Sequence, residues 1–185
     1  MPRHLIIPGW ANSGPTHWQT HWQRALPDAT RVEMPDWLSP RRADWVAALD
    51  AAIRAAPEPP ILIAHSLGCH AVVSWAATSS RRIAGALLVA PPDLERRSCP
   101  PSLRDFAPVP RAPLRFPSRV VASDNDPYAA LPASIQLAFA WSSAITVLEA
   151  AGHINADAGF GPWPDGLALL DDLVAEPAPL LARSR

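Results

Sequence analysis

The chain is 185 residues long, 49% hydrophobic, and carries a formal net charge of -1. That length suits one domain burying about 70% of its unfolded surface without disulfides or metal, and the near-neutral charge offers no field for nucleic acid. All 16 basic residues are arginine, which excludes a lysine Schiff base, a phosphate-loop lysine and a Ser–Lys dyad.

In chain order, short apolar runs alternate with longer amphipathic stretches. Leu5-Ile6-Ile7 reads as a first strand, closed by Pro8-Gly9. Residues 16–26 read as a helix, because Trp18, Trp22 and Leu26 fall four apart on one face. Residues 30–34 read as a second strand. Ser39-Pro40 reads as an N-cap with proline in the first turn; the helix behind it carries Trp45, Leu49 and Ile53 and stops at the prolines of 57–60. Ile61-Leu62-Ile63-Ala64 reads as a strand buried on both faces, followed by a helix over 67–77. Residues 85–90 and 119–122 read as two more buried strands, separated by a long irregular segment, 91–117. A stretch that long without regular structure suits a functional loop or partial flap. A helix from Pro132 through Trp141, a last strand at 144–148 and a last helix at 167–174 complete the pattern. This alternation predicts an α/β protein with a mostly parallel sheet and helices on both faces. The expected domain is 1–175, with 176–185 a frayed tail.

The strongest chemical signal is Ala64-His65-Ser66-Leu67-Gly68 between a buried strand and a helix. This is the place of a nucleophile elbow, G-x-S-x-G, with alanine at the first glycine position. A serine needs a general base, and the base needs a carboxylate to orient it. His153 follows the last strand in Ala151-Gly152-His153. Asp126 and Asp124 both follow the strand ending at Ala122, in Ser123-Asp124-Asn125-Asp126-Pro127-Tyr128. Asp126 is favoured for its distance past Ser123 and its stiffening Pro127. The backbone N–H of Leu67, at a helix N-terminus, and that of Trp10, after the first strand, are the candidate oxyanion donors. Gly9 lets the chain approach closely there.

Other residues take structural readings. His17 and His21 have i,i+4 metal-ligand spacing, but the metalloprotease glutamate is missing, so solvated or capping roles are expected. His65 is expected to face away from the elbow and His70 to lie in the core. Most of the eight tryptophans belong in the core; Trp10 and Trp163 are candidates for an acyl pocket. Cys69 and Cys99 fit neither a disulfide scaffold nor a zinc pattern. With no signal-peptide or membrane-length apolar run, a cytoplasmic location is expected.

Taken together, the residues resemble one family. They are Pro8-Gly9-Trp10, Ser13, His17-Trp18, Trp22, Asp36-Trp37, His65-Ser66-Leu67-Gly68-Cys69, Asn125-Asp126-Pro127-Tyr128, Gly152-His153-Ile154-Asn155 and Gly159-Phe160-Gly161-Pro162-Trp163-Pro164. The chain resembles the small lidless α/β-hydrolases typified by retinoblastoma-binding protein 9 and its bacterial relatives. The resemblance implies a three-layer α/β/α sandwich, no large lid, and a triad falling on Ser66, Asp126 and His153. It also implies serine-hydrolase activity without a cofactor. A carboxylesterase-like enzyme acting on a small ester or amide is expected, against the alternative of a binding protein with vestigial turnover. Of the L-x-C-x-E pocket-binding motif only Leu67 and Cys69 are present, since residue 71 is Ala71. No nucleic-acid or membrane partner is expected, and no protein partner is read.

Overall fold

A computed structural model describes residues 3–175; the expected tail at 176–185 lies outside them. Six strands form one sheet: β1 (His4–Ile7), β2 (Ala29–Arg31), β3 (Ile61–His65), β4 (Gly85–Val89), β5 (Ser118–Ser123) and β6 (Ala144–Leu148). Their order is β2-β1-β3-β4-β5-β6, and every neighbouring pair is parallel. Among the described residues four α-helices connect strands, α1 (Trp18–Ala25), α2 (Arg42–Ala55), α3 (Leu67–Thr78) and α4 (Leu131–Ala140), and α5 (Pro164–Ala175) follows β6.

The central strands read as unbroken apolar runs because both of their faces are covered. Leu62, Ala64, Ala86, Leu88 and Val120 pack into one core with Trp45 and Leu49 of α2, the body of α3, and Leu137 of α4. The alternate residues Ile61, Ile63, Leu87, Val89 and Val121 pack into another with Trp18 and Trp22 of α1 and Leu170 and Leu173 of α5. The period-2 alternation of side chains thus builds the three-layer α/β/α sandwich. From β1 the chain goes outward to β2 and then returns to β3 on the other side. That reversal is a topological switch point, and it opens a crevice beyond the carboxyl ends of β1 and β3.

Several expected details are corrected. The second strand is three residues long, although Val32 N–H still donates to Ile6 O at 2.9 Å. Ser39 does not cap α2. Its N–H, with that of Leu38, is taken by Asp36 Oδ1 at 2.8 Å, so Ser39 belongs to the preceding turn. The helix begins at Arg42, whose N–H donates to Asp105 Oδ2 at 2.6 Å. Segment 91–117 contains a short 3-10 helix, Pro101–Phe106. Its Leu94, Cys99, Leu103, Phe106 and Val109 join the α2–α3 core, so it is packed wall rather than free connector.

Candidate active site

Ser66 stands between β3 and α3 with φ 55° and ψ -124°. Strand turns into helix there with no intervening loop, which pushes the hydroxyl out over the sheet edge and needs bare backbone around it. A Cβ on Gly68 would lie 2.4 Å from Ile7 O and 2.7 Å from Pro8 O. One on Gly9 would lie 2.7 Å from Ser66 Cβ and 3.2 Å from its Oγ. Ala64 is fully buried in β3, so its methyl is accommodated where the motif carries glycine.

The structure brings Ser66, His153 and Asp126 together. His153 Nε2 is 2.9 Å from Ser66 Oγ. On the other side of the ring, Nδ1 is 2.9 Å from Asp126 Oδ2 and 3.1 Å from Oδ1. The Asp126 side chain is only 3% exposed, and Oδ1 also accepts the N–H of Tyr128 at 2.8 Å. With Nδ1–H given to the carboxylate, Nε2 is left as the acceptor of the serine proton. Asp124 is used differently: its Oδ1 accepts the N–H of Ala150 at 2.7 Å.

Leu67 is the first residue of α3 and Trp10 follows Gly9 beyond β1. Among the described residues, no hydrogen bond takes up either backbone N–H. A cavity of about 330 Å³ lies in front of Ser66, reached by Gly9, Trp10 and His153 and walled on one side by Leu94, Pro100 and Leu103. The Trp10 indole is 43% exposed at its rim, its Nε1–H donating to Leu38 O at 3.0 Å. Trp163 does not line the cavity. It is buried in the α1–α5 layer, stacked on Trp22 at 5.6 Å and edge-on to Trp18 at 5.2 Å. The reason is local: a Cβ on Gly166 would sit 2.4 Å from the indole, so this glycine makes the space that draws the ring into α5.

His65 is also corrected. Its ring does not turn away from the site but packs 4.9 Å from that of His153, and its Nε2 bonds the His153 carbonyl at 2.9 Å. Burial first, then the nearby His153 and His17, drives its pKa well below the ordinary value. His17 caps α1, its Nδ1 accepting the N–H of Gln19 at 3.1 Å. Burial, with Arg31 and His153 adding to it, lowers its pKa to about 4. His70 lies fully buried in α3. Among the described residues, no group of three or more His, Cys, Asp or Glu side chains is placed to hold a metal ion.

Gln19 escapes sequence reasoning altogether. It is fully buried, and its Nε2 donates to Ile7 O at 3.1 Å and Ile63 O at 3.0 Å. It therefore ties the last residue of β1 to the middle of β3, the two strands from which the Trp10 loop and Ser66 emerge. Ser13 Oγ satisfies its Oε1 at 2.7 Å.

A family model described as serine hydrolase matches residues 4–172. Among solved structures, the chain is similar to a YdeN-like hydrolase of Pectobacterium atrosepticum, with 33% identity, 94% of this chain and 91% of that chain covered, and a TM-score of 0.84. It is similar to the ydeN gene product of B. subtilis at 26% identity, covering 95% and 100% of the two chains with a TM-score of 0.78. The likeness to the carboxylesterase CesB of Bacillus subtilis, 12% identical over 94% and 84% of the chains with a TM-score of 0.65, speaks for the fold alone. No curated protein matches the chain. No helix among the described residues is long and apolar enough to cross a membrane.

Proposed function

The chain belongs to the serine hydrolase family, and from that premise we propose that it cleaves a small carboxylic ester, or an amide, through an acyl-Ser66 intermediate. The observation that carries this reading is the unbroken line of contacts from Ser66 Oγ through the His153 ring to Asp126. Ser66 Oγ attacks the carbonyl carbon while His153 Nε2 takes its proton. The developing oxyanion is met by the N–H groups of Leu67 and Trp10. As the intermediate collapses, Nε2 returns the proton to the departing alcohol or amine. Water repeats the sequence on the acyl-enzyme and releases the acid. Asp126 holds the tautomer and stabilises the imidazolium throughout. None of these steps needs a cofactor.

Substrate size follows from the cavity. At about 330 Å³ it lies near the lower end of the roughly 300–1,000 Å³ typical of ligand sites, which supports short acyl groups. The rival reading, a binding protein with vestigial turnover, would gain from a cavity plugged by tryptophan. Here Trp163 is engaged elsewhere, and the cavity reaches Ser66. Two cores built on one shared sheet support a single domain. The buried free thiols of Cys69 and Cys99 support a reducing, cytoplasmic setting.

The test uses short-chain p-nitrophenyl esters and a fluorophosphonate probe. Hydrolysis and labelling are expected for the purified protein and lost in Ser66→Ala. Labelling that survives Ser66→Ala refutes the assignment. No labelling of the parent protein, with tight capture of a ligand at the cavity, favours the binding reading.

A further inference from the structure

The loop that carries His153 is bent against its own preferences. Ala150, Gly152 and Ile154 have φ of 50°, 55° and 48°, so left-handed residues alternate around the imidazole. That conformation is costly for any residue with a Cβ, and a loop containing two such residues keeps its shape only when its surroundings over-determine it.

The surroundings are the side chains that follow β5. Asp124 Oδ1 accepts the N–H of Ala150 at 2.7 Å, and Ser123 Oγ accepts that of Ala151 at 3.0 Å. Asn125 Oδ1 accepts that of Gly152 at 2.7 Å. Asp126 then takes Nδ1–H of His153 itself at 2.9 Å. Consecutive side chains of one loop therefore grip consecutive residues of the other. Asn125 grips the residue just before His153, whose own carbonyl is bonded by His65 Nε2 on the other side at 2.9 Å, and Ser123 Oγ fixes the Asn125 oxygen by donating to it at 2.8 Å.

Resting on the triad reading above, we propose that Asn125 is a positioning residue for the general base: by holding the Gly152 N–H it keeps the His153 ring between Ser66 and Asp126. The Asn125 side chain acts here only through its accepting oxygen. A carboxylate offers that oxygen in the same place, whereas alanine removes it. The added charge of an aspartate faces Asp124 and Asp126 on its own loop and the His153 ring across the seam. It moves the limb of the pH–rate profile, so rates are compared on the plateau.

The experiment measures plateau kcat and KM on a p-nitrophenyl ester for the parent protein, Asn125→Ala, Asn125→Asp and Ser66→Ala. Melting temperatures and the far-downfield proton resonance of the His153 Nδ1–H···Asp126 bond are recorded for each. Asn125→Ala is expected to lose about ten- to a hundredfold in kcat, the range that a misplaced catalytic group costs. Its KM stays close to the parent value, and the downfield resonance broadens or vanishes. Asn125→Asp recovers both rate and resonance. The proposal is overturned if Asn125→Ala keeps its kcat, if the resonance persists while kcat falls, or if Asn125→Asp is as impaired as alanine. Activity retained by Ser66→Ala strikes instead at the triad reading on which this one rests.

Discussion

Acid should unfold this protein earlier than its carboxylates alone would dictate, and His70 offers a way to measure why. The His70 ring is fully buried in α3, its Nε2 bonded to Pro92 O at 2.7 Å and its Nδ1 without a hydrogen-bond partner among the described residues. Burial lowers its pKa from 6.5 to about 4, outweighing the opposing pull of the Pro92 carbonyl, Asp93 and Glu95. Between those values the unfolded chain binds a proton at residue 70 and the folded chain does not. Stability is therefore complete above pH 6.5 and is lost as pH falls toward 4. At about 1.4 kcal/mol per pH unit, the whole window is worth about 3 kcal/mol for His70. His17, also lowered to about 4, adds a similar loss, and His65 acts in the same direction. Set against a typical total of about 5–15 kcal/mol, these rings weaken the fold severely by pH 4–5. Asp36 and Asp50 are held below their ordinary 3.8, by backbone N–H groups and by the Trp75 indole respectively. Their contribution is lost only as pH falls below that value, outside the histidine window. His70→Gln keeps a side-chain donor for Pro92 O and removes the titration. Urea unfolding at pH 7, 6 and 5 is expected to give a pH dependence flatter than that of the parent, by about 2 kcal/mol between pH 7 and 5. Identical slopes for the two proteins would show that His70 is not a neutral buried ring, and the reasoning would fail.

Two substitutions probe the site directly. Gly9→Ala places a methyl 2.7 Å from Ser66 Cβ and must push the Trp10 loop off the elbow. A loss of about 10²–10³ in kcat, as for a missing oxyanion donor, is expected with esters, and full activity would remove Trp10 N–H from the mechanism. Asp126→Asn reverses the hydrogen bond that sets the tautomer of His153 and is expected to lower kcat by about 10⁴. Asp124→Asn is expected to cost far less, and the opposite ranking in steady-state assays would exchange the two aspartates.

Much of the architecture is legible in the chain because the burial of each element imposes a pattern. β3 and β4 are buried along their whole length and read as apolar runs, while α1 and α2 bury one face and show Trp, Leu or Ile at every fourth residue. The misreadings arise where two local devices compete. Ser39-Pro40 has the chemistry of a cap, but the carboxylate of Asp36 reaches its N–H first. Trp163 lies close to His153 along the chain, yet Gly166 leaves it a slot among Trp18 and Trp22, away from the cavity. Nothing in residue type alone ranks such competitors, since each alternative is locally sound and tertiary packing decides.

The site divides along a different line. In a parallel sheet every strand delivers its carboxyl end to the same edge, so a serine after β3, an aspartate after β5 and a histidine after β6 converge once the alternation of elements is recognised. Their contacts run from side chain to side chain, and both partners must be of a particular type, which leaves a trace in the sequence. The contacts that hold them in place run mostly to the main chain: His65 to His153 O, Gln19 to Ile7 O and Ile63 O, Trp18 to Ile154 O. Every residue supplies a carbonyl, so one half of each such pair carries no sequence signal. Candidate reacting groups can thus be found from order and spacing. The scaffold that sets their distances shows itself only when buried donors are matched to the carbonyls they satisfy.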